Sequence, residues 1–146
     1  MTFEIPVVFI VFRRPMLAQK VFDQIAKVKP QKLFVIADGP ISAEDEKLCK
    51  KTREIIDSVD WKCELFENFS DHNLGCYQRV STGLNWVFSH VEEAIILEDD
   101  CVPDDTFFLF CRALLQHYRY DNRVWVVSGN NFQDGQWRGD GSYYFS

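Results

Sequence analysis

The chain has 146 residues, 47% of them hydrophobic and 15% aromatic, which is enough apolar material for one folded domain and argues against intrinsic disorder. Its 16 basic and 22 acidic residues give a net charge of −6 and an isoelectric point near 5.0, which argues against a protein that binds nucleic acid or anionic membranes. An anionic ligand would have to be bound locally, by a few basic side chains, helix N-termini or a metal ion.

The predicted elements alternate between strands and helices. Continuous β-branched and aromatic runs predict strands that are buried on both faces, whereas the alternating segment 62–68 predicts a shorter or edge strand. In chain order, the predicted strands are 5–12, 32–40 with a turn at its end, 62–68, 93–97 and 124–129.

Helices are predicted between these strands. Pro15 suits the first turn of the first helix, and the pair Ser42 and Asp45 resembles a capping box at the start of the second. Residues 106–120 predict the fourth helix. The third is predicted from an apolar stripe formed by Val80, Leu84, Val87, Phe88 and Val91.

This order predicts a single α/β domain, a three-layer sandwich with a mostly parallel sheet. Ligands of such sheets bind outside the carboxyl ends of the strands. Polar residues collect at the predicted strand ends, and the set comprises Arg13, Arg14, Asp38, Glu98, Asp99, Asp100 and residues 128–131.

Five cysteines are spread along the chain without a Cys-x-x-Cys pair. Their spacing predicts buried free thiols in a reducing compartment, and neither a disulfide framework nor a zinc site. The apolar run 5–12 is too short to cross a membrane and lacks the charged start of a signal peptide. We therefore expect no transmembrane segment and a cytoplasmic protein, with peripheral membrane association of the full-length protein as the alternative.

Three carboxylates, Glu98, Asp99 and Asp100, directly follow the predicted strand 93–97. Adjacent carboxylates raise one another's pKa and cost stability unless a cation lies among them. Mg²⁺ or Mn²⁺, held by one or two carboxylates and completed by phosphate oxygens and water, fits this need. The alternative is an acidic turn that caps the following helix, but the position at a strand end favours the metal.

The segment IILEDDCVPDDTFFLFC (95–111) resembles the DXD-like, metal-binding strand end of GT-A-fold glycosyltransferases, notably N-acetylglucosaminyltransferase I and the bacterial family-2-like enzymes. The resemblance implies a GT-A fold, a nucleotide-diphospho-sugar donor, in particular a UDP-sugar, and Mn²⁺ or Mg²⁺ bound by Asp100. It also implies that Asp99 lies nearest the sugar or ribose, with Glu98 beside it.

Further segments resemble the same template in the same order. Arg14 matches an arginine at the nucleotide-binding start, with Arg13 as its rival, and Asp38 matches the aspartate that accepts a hydrogen bond from uracil. In NLGCYQRVSTG (73–83), Arg79 is a candidate donor-binding residue whose guanidinium could reach a phosphate, although it lies one position earlier than the family's arginine; the alternative is a surface charge. Gly75 suits close backbone approach to a ligand, and the helix N-terminus behind it suits a phosphate. The remaining donor-binding match in this segment is Asn73.

The implied activity is transfer of a sugar, with inversion, to an acceptor that is a glycan, a lipid or a protein. A general base is expected beyond Ser146, because the family's base comes from the acceptor-binding half. The chain is expected to contain mainly the donor-binding half, with a very small member of the class as the alternative. The strand-like segment 142–146 would leave an exposed edge, which favours a homodimer.

Two other classes remain as alternatives. A non-catalytic sugar-nucleotide-binding or interaction module predicts binding without turnover. A receiver-like phospho-acceptor domain also uses an acidic pocket for Mg²⁺, but it needs carboxylates after the first strand and a lysine after a late one. Here the first strand ends in Arg13 and Arg14, and no lysine follows Lys62, which disfavours that class.

Overall fold

The computed structural model describes residues 3–129. The predicted dimer edge at 142–146 and residues 130–131 lie outside that range. The described strands are β1 Val7–Val11, β2 Lys32–Ala37, β3 Glu64–Phe69 and β4 Ile95–Glu98. The described helices are α1 Pro15–Val28, α2 Ala43–Arg53, α3 Cys76–Phe88 and α4 Phe107–Tyr118, with a 3-10 turn, Glu54–Ser58, directly after α2.

The four described strands form one sheet in the order β3-β2-β1-β4, and every neighbouring pair is parallel. The α/β fold with a parallel sheet is therefore confirmed. The alternating segment forms β3, which lies at one edge of this sheet as predicted. Because all four strands run the same way, their carboxyl ends share one edge of the sheet.

Helices cover both faces of the sheet, because successive strand residues point to opposite sides. On one face the core includes residues from α1, the 3-10 turn and α4, packed on alternate residues of β1 and β2. On the other face Val87 of α3 packs with Val8, Phe34 and Ile36. These two apolar layers hold the carboxyl edge of the sheet in place.

Local sequence signals determine where the first two helices begin. Pro15 opens α1, where its missing N–H costs no hydrogen bond and its fixed φ suits the helix. Ser42 has extended backbone geometry, and its Oγ accepts a hydrogen bond from the N–H of Asp45 at 3.2 Å. Both predicted helix starts are confirmed.

One expectation about burial was wrong, and another was right only in part. Strand β4 is buried on one face only, and Ile96 is 40% exposed, because α3 packs over β2 and β1 and leaves this position uncovered within the described chain. Helix α3 buries Arg79, Gly83 and Val87, whereas Phe88 is 45% exposed. Leu84, Val87 and Val91 of the predicted apolar stripe pack on the core as expected. Phe88 does not, and the buried Arg79 lies on the inner face of the helix.

The strand predicted at 124–129 was also wrong. These residues are described, and they form no strand. The N–H of Val124 is bonded to Asp121 in a turn, and Trp125 and Val126 are exposed. A β-branched run becomes a strand only when it pairs with another strand, and 124–129 pairs with none between residues 3 and 129, although β4 lies at the edge of the described sheet.

All five cysteines are free thiols, as predicted, but they are not all buried. Cys49 and Cys111 are buried, and burial raises the pKa of Cys111 to about 11. Cys76 and Cys101 are exposed, which corrects the expectation for them, because both lie where loops begin or end at the rim of the sheet. Within residues 3–129, no helix has the length and apolar character needed to cross a membrane.

Candidate functional site

The candidate site lies where the carboxyl ends of β1 and β4 meet. From β1 the chain continues to β2 and β3 on one side, whereas β4 lies on the other side, so the strand order reverses between β1 and β4. Open parallel sheets bind ligands at such a point. Arg14 follows β1, and Asp99 and Asp100 follow β4, so three predicted residues are brought together there.

Asp99 is the inner member of this group and is 1% exposed. One of its oxygens accepts a hydrogen bond from the guanidinium of Arg14, and the other accepts one from the backbone N–H of Phe12 at 3.1 Å. The buried carboxylate is therefore paired with a cation and hydrogen-bonded at both oxygens, which is how a buried charge is tolerated.

Asp100 is the outer member, and its side chain is 40% exposed. Its Oδ2 accepts a hydrogen bond from Nη1 of Arg14 at 2.8 Å, and its Oδ1 accepts one from the Cys101 thiol at 3.4 Å. Burial by itself would raise the pKa of Asp100, but the thiol and the charge of Arg14 outweigh it and lower that pKa. Asp100 is thus an ionised carboxylate that faces solvent.

Arg14 links the two aspartates through the two arms of its guanidinium. The hydrogen bond to Asp99 raises the pKa of Arg14 above its ordinary value, and burial opposes this only in part. The rival residue, Arg13, points elsewhere: its Nη1 donates to the buried Asp45 in the first turn of α2 at 2.6 Å. Of the two arginines, Arg14 alone contacts the acidic residues after β4.

Glu98 does not join this group, because successive side chains of a strand point to opposite faces of the sheet. It is the last residue of β4 and is exposed, on the same side as the half-exposed Ile96. In register it lies opposite Ile10 of β1. The predicted triplet therefore divides into Asp99 and Asp100, which contact Arg14, and Glu98, which does not.

Asp38 lies at the end of β2 and is 6% exposed. Its carboxylate accepts four hydrogen bonds, all from within the protein, at distances between 2.9 and 3.1 Å. Three of the donors belong to the segment 73–75, which includes the predicted residues Asn73 and Gly75. The structure thus brings Asp38, Asn73 and Gly75 together at the carboxyl edge of the sheet.

Gly75 is the N-cap residue of α3 and has φ of 78°, a conformation that favours glycine. A Cβ placed there would meet no protein atom within 4 Å, so the glycine is required by its backbone angle, and open space lies beside it. Gly75 therefore lies at the turn from the loop into the helix. The contact with a ligand stays a prediction.

Arg79 is buried, at 5% exposure, rather than exposed on the first turn of α3. Its Nε donates to the carbonyl of Ala37 at 3.2 Å, and its Nη2 donates to the carbonyl and the side chain of Asn68. Burial lowers the pKa of Arg79, while the charge of Asp38 opposes that change. These bonds tie α3 to the ends of β2 and β3, which gives Arg79 a structural role.

Two contributors were missed from the sequence. Cys101 donates to the candidate metal ligand Asp100, and Arg53 donates to the carbonyls of Asp38 and Ser70 at 3.0 and 2.7 Å. Adjacency to the acidic triplet could have identified Cys101. Nothing in the local sequence marks Arg53, because its partners are 15 and 17 residues away.

Asp100 is the residue of this group that could hold a metal ion. The described residues contain no group of three or more histidine, cysteine, aspartate or glutamate side chains arranged to hold a metal. Asp99 is almost completely buried, whereas the side chain of Asp100 is partly exposed, so Asp100 is the accessible carboxylate of this pair. Mg²⁺ and Mn²⁺ bind through one or two carboxylates when phosphate oxygens and water supply the other ligands.

Comparison with known proteins gives no family for this chain: the sequence matches no protein-family model and has no significant match among curated protein sequences.

Proposed function

We propose that this chain is the donor-binding domain of a GT-A-type glycosyltransferase, with a nucleotide-diphospho-sugar as donor and a UDP-sugar as the expected one. The observation that carries the proposal is the link from Arg14 to Asp99 and Asp100 between β1 and β4. The parallel sheet supports it, because a site at this edge lies where α/β proteins bind nucleotides.

Asp100 is the residue proposed to hold Mn²⁺ or Mg²⁺, because it is ionised, exposed and carries a single arginine contact. The metal would offset the negative charge that develops on the diphosphate when it leaves the sugar. Arg14 would move one arm of its guanidinium from Asp100 to a phosphate oxygen, a partner that suits its fork of donors.

Asp99 is proposed to orient Arg14 rather than to contact the donor. Its carboxylate is buried and is fixed by the N–H of Phe12, so it holds the arginine from the protein side. A donor that is already oriented stabilises developing charge without reorganisation during the reaction. Glu98 lacks such a fixed contact and is proposed only as a residue at the rim of the sheet.

Calorimetric titration with UDP, GDP and ADP, each with and without Mn²⁺, tests the proposal. We expect metal-dependent binding of UDP, and loss of the metal dependence in Asp100→Ala. Binding of none of the three nucleotides by the wild-type chain would contradict the proposal. Binding without transfer to glycan, lipid or protein acceptors would favour a non-catalytic sugar-nucleotide-binding module.

A further inference from the structure

The carboxylate of Asp38 is the most heavily hydrogen-bonded side chain at the carboxyl edge of the described sheet. Its Oδ1 accepts from the N–H groups of Gly39 and Leu74, each at 2.9 Å. Its Oδ2 accepts from Nδ2 of Asn73 at 3.0 Å and from the N–H of Gly75 at 3.1 Å. The side chain therefore joins the end of β2 to the residues that lead into α3.

These four bonds use the full capacity of the group. An ionised carboxylate offers about four lone-pair positions, two on each oxygen. A ring N–H of a nucleotide base would have to displace one of the protein donors, and a buried donor left without a partner is costly. Only 6% of Asp38 is exposed, which further restricts contact with a ligand.

The surroundings of Asp38 hold it in this orientation. Its backbone N–H bonds to the carbonyl of Val11 at 3.2 Å, and its carbonyl accepts from Arg53 at 3.0 Å. Arg79 fixes the preceding carbonyl, that of Ala37, at 3.2 Å. The residue is thus anchored through both its backbone and its side chain, and turning the carboxylate toward a ligand would break several bonds at once.

We propose that Asp38 is a positioning residue: it holds residues 73–75, and so fixes the beginning of α3, instead of contacting the nucleotide base. The inference rests on the proposed function, because the ligand that residues 73–75 would contact is the donor nucleotide. Asp38 accepts a hydrogen bond from the N–H of Gly75 and so fixes the position of this glycine, which has a positive φ and open space beside it.

Amide hydrogen exchange of the ligand-free full chain, measured residue by residue, tests the positioning role without a ligand. In Asp38→Asn we expect exchange at Leu74 and Gly75 to accelerate by on the order of tenfold to a hundredfold, because each loses a bond to a charged acceptor. The amides of β1 should keep their protection. The matched control is Asp45→Asn, a second buried aspartate, which should leave Leu74 and Gly75 unchanged.

Nucleotide affinity gives the second readout. A positioning role predicts that Asp38→Asn weakens UDP, GDP and ADP by the same factor, whereas a loss confined to UDP, or amides that stay protected, would overturn it. Asn73→Ala keeps the carboxylate and should also weaken the three nucleotides equally; unchanged UDP affinity there would overturn the inference. If the wild-type chain binds no nucleotide, the proposed function fails, and the exchange rates alone decide the role of Asp38.

Discussion

The guanidinium of Arg14 is held by the buried carboxylate of Asp99, and this pair joins the end of β1 to the end of β4. The contact between Arg14 and Asp100 is different, because both of those side chains are substantially exposed. One arginine therefore has an inner partner that fixes it and an outer partner that it can exchange. Substitutions at the inner and the outer aspartate should accordingly have different effects on stability and on ligand binding.

Replacing Asp99 with alanine should destabilise the fold. The change leaves Arg14 without its inner partner and the N–H of Phe12 without an acceptor, and the expected loss is ~2–4 kcal/mol in the free energy of unfolding. Urea denaturation measures it. Asp100→Ala is the matched control and should cost less than about 1 kcal/mol, as exposed ion pairs do. Equal losses in the two variants would show that the inner pair has no special role.

Asp100→Ala should abolish the Mn²⁺-dependent part of UDP affinity and leave the fold intact. The reason is that Asp100 is the exposed carboxylate that is proposed to bind the metal ion. Calorimetric titration with UDP, with and without Mn²⁺, measures the effect. Asp105→Ala removes another exposed acid between β4 and α4, one that pairs with Lys27 in the last turn of α1, and should change nothing. If UDP binds Asp100→Ala as it binds the wild type, the metal assignment is wrong.

Arg14→Gln should raise the affinity of the ligand-free chain for Mn²⁺ alone by about two- to fivefold, since the arginine competes with the metal for an exposed carboxylate. The same change should weaken binding of UDP with Mn²⁺, because a phosphate contact is lost. Mn²⁺ binding followed by electron paramagnetic resonance measures the first effect. Arg13→Gln, one residue away, should affect neither, because Arg13 pairs with Asp45 on α2. The affinity for Mn²⁺ alone must rise while the affinity for UDP with Mn²⁺ falls. A loss of both affinities would refute the proposed competition between Arg14 and the metal ion.

Asp100 should titrate below its usual pKa of 3.8. Its charge then favours the folded state above that pH, and this contribution is lost as the pH falls through the lowered pKa. Carboxyl carbon chemical shifts follow the titration directly. Cys101→Ala and Arg14→Gln should each move the midpoint upward, because each removes a partner of the ionised form. A midpoint that stays unchanged in both variants would show that neither the thiol nor the arginine lowers the pKa of Asp100.

The α/β class, the parallel sheet, the edge position of β3 and the starts of α1 and α2 were predictable because each depends on a local pattern. Continuous apolar runs predict buried strands, and Pro15 and Ser42 determine helix starts through their own backbone chemistry. The segment 124–129 has the same kind of local pattern, yet it forms no strand, because pairing depends on a neighbouring edge that local sequence does not encode.

The site was predictable as a set of residues but not as a set of contacts. Sequence placed both Arg13 and Arg14 at the end of β1 and preferred Arg14 only through the family resemblance. The three-dimensional arrangement shows that Arg13 contacts Asp45 on α2 and that Arg14 contacts Asp99. Sequence also could not show that the carboxylate of Asp38 accepts three hydrogen bonds from residues about 35 positions away in the chain. Such long-range hydrogen bonds depend on how the elements pack, and no periodic pattern in the sequence marks them.

Arg79→Met should destabilise the protein by about 2 kcal/mol, because the carbonyls of Ala37 and Asn68 lose a buried donor. If Arg79 were instead an exposed phosphate ligand, the change would lower nucleotide affinity and leave stability unaltered. Urea denaturation and UDP titration of the same variant therefore distinguish the two roles. Gln78→Met introduces the same side chain at the exposed neighbouring position and controls for the change in helix composition. A normal unfolding midpoint with weakened UDP binding would show that Arg79 binds the donor nucleotide. A lowered midpoint would assign it to the junction of α3 with β2 and β3.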